Sequence, residues 1–114
     1  MIESIFKISD NVRYVAVYKN GQLESKSKSA TTDASSPESD RYEELLVNPT
    51  LLKLASQRGS IDCGGLEYIL IRYGNFFQFV LPQNWGHVSV CIEPNADPIR
   101  IGAQVKSLVD GPSH

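Results

Sequence analysis

Between Leu66 and Glu93 the chain runs LEYILIRY, GN, FFQFVL, PQNWG, HVSVCIE. Three short stretches rich in β-branched and aromatic residues are separated by connections too brief to hold a helix, so they can only be antiparallel neighbours. Strands are predicted at 66–73, 76–81 and 87–93, with a turn at 82–86. In the last of them Val88, Val90 and Ile92 alternate toward one face, and Cys91 points to the other.

The N-terminal half carries a second, cleaner hairpin signal. VRYVAVY (12–18) reads as a strand with Val15 and Val17 on one face and Tyr14 and Tyr18 on the other. Asn20–Gly21 follows, a pair suited to a turn whose two central residues need positive φ. The return strand QLESKSK (22–28) is almost wholly polar, as suits a sheet edge, where lysines discourage further pairing. Ile2, Ile5, Phe6 and Ser9 recur at helical spacing, which predicts a short helix before the first strand.

Residues 29–39 (SATTDASSPES) are polar and of low complexity, and they bury too little apolar area to offset the entropy of ordering. A long mobile loop is expected there, within one domain spanning 1–114. Residues 40–58 have helical character, with Tyr42, Leu45, Leu46, Leu51, Leu52, Leu54 and Ala55 as the apolar positions. Asn48–Pro49 interrupts them, as a cap and a first-turn proline would. Either one helix kinks or two abut, and Gly59 is the expected stop. Asp97–Pro98 opens a last helix by the same logic, striped by Ile101, Val105, Leu108 and Val109 and ended by Gly111–Pro112. The order helix, strand, strand, helix, three strands, helix points to an α+β domain with a five-stranded antiparallel sheet and helices on its faces.

Composition removes several functions. The 114 residues carry a formal net charge of −2, and no basic stripe marks a phosphate-binding surface, so no nucleic-acid partner is expected. Lys26 and Lys28 fit a solvated edge. No stretch approaches the ~20 apolar residues of a membrane helix. With no secretory signal expected at the N-terminus, the protein is expected in the cytoplasm, with Cys63 and Cys91 as reduced thiols.

No catalytic, metal or cofactor constellation emerges. Cys63, in IDCGG, and His87 could act as nucleophile and base, but free cysteines are more often inert packing residues. A metal site would need three or four clustered ligands, and neither C-x-x-C nor H-E-x-x-H occurs. Gly64–Gly65 precedes a strand rather than a helix, so it marks a bend and not a phosphate loop. Trp85 is either an interaction anchor in an exposed turn or a cover over the sheet rim.

The stretches VRYVAVYKNGQLES and RYGNFFQFVLPQNWGHVSVCIE, the latter followed by a terminal helix, resemble the roadblock family, named for dynein light chains and including bacterial MglB-like proteins. The Asn48–Pro49 break and the serine-rich stretch depart from that pattern. The resemblance implies a profilin-like sheet of order 2-1-5-4-3 and dimers joined edge to edge through the third strand, with middle helices side by side. The joint would then involve Leu66, Tyr68, Ile69, Leu70 and Ile71 of the strand, with Leu45 and Leu52 of the helix. It also implies a non-enzymatic role as a scaffold or regulator of a small Ras-like GTPase, or as a subunit paired with a relative, and Arg58 and Trp85 are the candidate partner contacts. A small-molecule-sensing domain is the rival expectation, which requires a cavity with apolar walls and a few polar groups.

Overall fold

A computed structural model describes residues 1–28 and 36–111. The elements run α1 (Ile2–Phe6), β1 (Val12–Lys19), β2 (Gln22–Ser27), α2 (Pro37–Tyr42), a π-helical stretch (Glu43–Val47), α3 (Asn48–Asp62), β3 (Ile69–Arg72), β4 (Phe77–Gln83), β5 (Gly86–Ile92) and α4 (Pro98–Asp110). The five strands form one antiparallel sheet of order β2-β1-β5-β4-β3. Polar β2 lies at one edge, as its composition predicts, and apolar β3 at the other, as the order implied by the resemblance has it.

The two faces of the sheet differ in chemistry. On one, Val12, Val15, Val17, Phe79, Leu81, Val88, Val90 and Ile92 build an apolar core with Ile5 of α1 and Ile101 and Val105 of α4. The alternation in β1 and β5 reads this face correctly. Helix α4 comes unusually close: a Cβ placed at Gly102 would stand 2.5 Å from a ring carbon of Phe79. Asp97 caps the helix by accepting from the backbone N–H groups of Ile99 and Arg100 at 3.1 and 3.2 Å, satisfying donors that a helix start leaves open. The other face carries Tyr14, Ala16 and Cys91 beside the polar Gln78, His87 and Ser89. The register between β1 and β5 shifts between Val12 and Tyr14, so Arg13 is an extra residue whose side chain is re-aimed. It donates to Glu93 at 2.9 Å and to the Asn75 carbonyl at 3.3 Å.

The turns explain several departures from expectation. Asn20 and Gly21 have φ of 52° and 84°, the positive values the Asn-Gly pair predicts. The β4–β5 turn is tighter than the expected 82–86, because Pro82 and Gln83 belong to β4 and pair with His87 and Gly86. Strand β3 is only four residues, not the eight of 66–73. Continuing its register beyond Ile69–Val80 would set Glu67 opposite Pro82, and proline has no N–H to extend the ladder.

The middle helix departs most. At Asn48–Pro49 a π-helical stretch passes directly into α3, and the backbone angles at Tyr42, Glu43, Val47 and Asn48 are all right-handed helical. The π-helical turn before Pro49 absorbs the missing proline N–H by widening the hydrogen-bonded ring. Asn48 is therefore not a cap. Gly59 does not stop α3 either. It lies inside the helix, where a Cβ would meet the Gly65 carbonyl carbon at 3.1 Å. The chain turns away instead at Gly64 and Gly65, both at positive φ, and the Gly65 N–H returns to the Gly59 carbonyl at 3.0 Å.

Of the loop expected at 29–39, residues 36–39 cap and start a helix. Ser36 Oγ accepts from the Ser39 N–H at 3.1 Å and Ser39 Oγ from the Ser36 N–H at 3.0 Å. The rest of that stretch lies outside the described residues.

Candidate functional site

Under the middle helix the polar face of the sheet closes into a buried hydrogen-bonded cluster. Glu44, on the π-helical turn, is fully buried, and its Oε1 lies 2.8 Å from His87 Nε2 and accepts from Asn48 Nδ2 at 3.0 Å. The ring of Tyr18 lies tilted on His87, 5.5 Å between centroids. Deeper in the sheet, Gln78 donates to Ser89 Oγ and accepts from Cys91 Sγ at 3.1 Å. A polar sheet face is viable here because each of these side chains finds a partner on a neighbouring strand or on the helix above.

The π-helical turn is what aims two consecutive glutamates at this face. Glu43 accepts from Tyr73 Oη at 2.8 Å. Burial, opposed by that hydrogen bond and reinforced by Glu44 and Asp40, holds the Glu43 carboxyl above its ordinary range. The same conditions act on neighbouring acids. Burial and then the Tyr73–Glu43 contact push the Tyr73 phenol up to about 12. Burial, then Glu44, raises Tyr14 and Cys91. Beside the cluster opens a cavity of about 420 Å³, walled by Tyr14, Tyr42, Tyr73 and Phe76 and lined by Asp40, Glu43 and Glu44.

A histidine–carboxylate pair is the usual form of a proton-transfer device, but this one is sealed: His87 is 1% exposed and Glu44 0%. A general base must come within hydrogen-bond reach of its substrate, and in this arrangement the pair joins helix to sheet instead. Cys63 is exposed and stands apart from His87 in its bonding. Its Sγ accepts from Arg58 at 3.2 Å and contacts Asp62 Oδ1 at 3.3 Å. Among the described residues no group of three or more histidine, cysteine or acidic side chains could hold a metal ion, and no helix is long and apolar enough to cross a membrane.

The second feature is on the outside. Six of the nine large apolar side chains that are exposed among the described residues lie on the middle helix, Tyr42, Leu45, Leu46, Leu51, Leu54 and Ile61, and Tyr68 precedes β3. These side chains are gathered on one helical run and are not scattered singly over the surface. The expected joint residues divide. Leu45 is exposed, but Leu52 is buried within the single chain. Leu66 is half-buried in the loop that packs on Gly59. In β3, Leu70 packs on the apolar core and Tyr68 lies on the Phe79 ring at 5.1 Å, while Ile69 and Ile71, opposite Val80 and Gln78, face the side of the middle helix.

Arg58 is not at a loose helix end. It sits within α3 and pairs with Asp62 at 2.7 Å. Trp85 folds back on the apolar core, with Lys19 Nζ 5.2 Å from its ring centroid and its carbonyl accepting from the Asn20 N–H at 2.9 Å, so it covers the sheet rim. Sequence reasoning missed Glu44 and Asn48. Their one signal is a polar pair at i and i+4 inside the apolar run 42–52, the spacing at which helical side chains meet.

A comparison with protein-family models gives no match to this chain, and neither does a comparison with curated proteins.

Proposed function

We propose that this chain is a non-enzymatic protein-interaction module that works as a homodimer, joined through the outer face of its middle helix and the edge of β3. The carrying observation is the apolar surface of Tyr42, Leu45, Leu46, Leu51, Leu54 and Ile61 on a helix, together with a sheet edge, β3, that is charged only at its end, Arg72. The inner side of the helix, with Glu44, Asn48, Leu52 and Gly59, is already covered within the chain, so the apolar side chains on its outer side are the ones left for a partner to cover. An edge strand with no charge or proline at its centre invites pairing, and a second copy across a two-fold axis supplies helix and strand together.

The sheet order matches the one the roadblock resemblance implies, and that resemblance supports the reading further. It makes the partner a small Ras-like GTPase or a related subunit, and the setting the cytoplasm. Arg58 is engaged with Asp62, which favours tethering the partner over inserting an arginine into its nucleotide site.

Light scattering on the full chain at micromolar concentration should give twice its 12.6 kDa. Leu54→Asp, at a position 60% exposed, should give a folded monomer with an unchanged circular-dichroism spectrum. A monomeric wild type, or an undisturbed dimer in both Leu54→Asp and Ile71→Lys, would refute the reading. Co-purification with a small GTPase loaded with GDP or GTP analogue tests the partner. Binding in one nucleotide state supports regulation, equal binding supports scaffolding, and no binding removes the GTPase from the proposal.

A further inference from the structure

The cavity beneath the start of the middle helix has a chemistry that neither a dimer joint nor a tether uses. Three carboxylates line it, Asp40, Glu43 and Glu44, and among the described residues the lining includes no lysine or arginine. Arg13, which touches the wall at Phe76 and Asn75, is itself paired with Glu93. Glu43 Oε2 and Glu44 Oε2 are both buried and accept no hydrogen bond, and Glu44 is fully buried. A buried carboxylate oxygen with no donor is costly, because the charge keeps its desolvation penalty without compensation. The shape of the cavity restricts what can supply the donor. Tyr14, Tyr42, Tyr73 and Phe76 enclose the carboxylates with aromatic rings, whose faces attract cations. At about 420 Å³ the space suits a small molecule.

From this combination we propose that the cavity binds a small organic cation, an ammonium group carried on an apolar body. The ammonium lies against the Glu43 carboxylate and the body between the rings. Glu44, fixed from behind by His87 and Asn48, contributes its charge through the wall. An ammonium has three donors and no acceptor, which fits a lining whose unmet groups are all acceptors. A neutral alcohol offers one donor and no charge, and a carboxylate meets like charge. The cavity is lined by residues of one chain, and its rim residue Tyr42 belongs also to the apolar surface of the proposed joint.

The test is an NMR titration of the ¹⁵N-labelled full chain near neutral pH with phenethylamine, 2-phenylethanol and 3-phenylpropionate. Phenethylamine should give saturable one-to-one shifts centred on the amides of Tyr14, Glu43, Tyr73 and Phe76, and the other two compounds should not. Glu43→Gln should weaken the amine roughly tenfold, the loss of one charge-assisted hydrogen bond. Tyr42→Ala, at an exposed position on the rim, should weaken it roughly two- to fivefold through the lost aromatic wall. Amine binding that does not saturate by about 10 mM, where affinity falls below the weakest specific range, overturns the proposal. So does equal binding of the alcohol or the carboxylate, or an affinity unchanged in both variants.

Discussion

Replacing Gly102 with alanine should destabilise the protein although the residue is in a helix, where alanine is ordinarily the better choice. A Cβ there would stand 2.5 Å from Cε1 and 2.8 Å from Cδ1 of Phe79, a ring 1% exposed in the middle of the apolar core. Carbon atoms pack at about 3.5–4.0 Å, so helix and ring must part by roughly 1 Å. Forcing a methyl into a packed core costs about 1–3 kcal/mol, and a full ångström belongs at the upper end. The alanine returns about 1 kcal/mol of helix propensity. The net loss is therefore about 1–2 kcal/mol, which for a domain of this size lowers Tm by roughly 5–10 °C. Thermal unfolding by circular dichroism measures it. The same change in a Phe79→Leu background, where Cε1 and Cζ are gone and only the shorter, rotatable Cδ branches remain, should cost measurably less than in the wild type, a coupling that independent sites would not show. Stabilisation of the wild-type chain by Gly102→Ala, or an equal loss in both backgrounds, would refute the close approach of α4 to the sheet.

Two other substitutions test the turns and the polar cluster. Gly86→Ala places a Cβ 1.8 Å from the Tyr18 carbonyl oxygen at φ 149°, so urea unfolding should show a loss above about 3 kcal/mol. Gly21→Ala, with φ 84° and open space, should lose only about 1 kcal/mol, and equal losses at the two sites would contradict this geometry. Burial, chiefly, raises the folded-state pKa of Glu43. Its contribution to stability is therefore complete below the unfolded pKa and declines as pH rises through the folded one. Glu43→Gln removes that decline, so as pH rises above the unfolded pKa of about 4 the variant should gain stability relative to wild type. A stability difference that does not change with pH would show that the carboxyl is not held in the environment described.

Much of the sheet could be read from local pattern because local pattern decides it. Val15 and Val17, and Val88, Val90 and Ile92, alternate onto the core face, and Asp97–Pro98 and Asn20–Gly21 act through their own backbones. Ser36–Pro37 follows the same cap-plus-proline logic but was hidden in a serine-rich segment. What pattern could not show depends on distant partners. Asn48 beside Pro49 reads as a cap until its amide is seen to be taken by Glu44, which is in turn held by His87 from a strand 43 residues away. Polar residues on alternate positions of β4 and β5 suggest water above them, and only the packed helix makes Gln78, Ser89 and His87 interior. Leu52, which the resemblance assigned to the joint, is likewise buried within the single chain.

The π-helical turn at Glu43–Val47 also sets the phase of everything after it. An α-helix advances about 100° per residue, and a π-turn holds one residue more than the α-turn it replaces. Deleting a single residue from 43–47 would therefore act less as a shortening than as a rotation. The helix beyond would turn by about 100°, drawing Leu52 out of the interior and swinging the outward row of Leu51, Leu54 and Ile61 off its present bearing. A one-residue change in length there would re-address the whole outer surface while leaving every later side chain chemically the same.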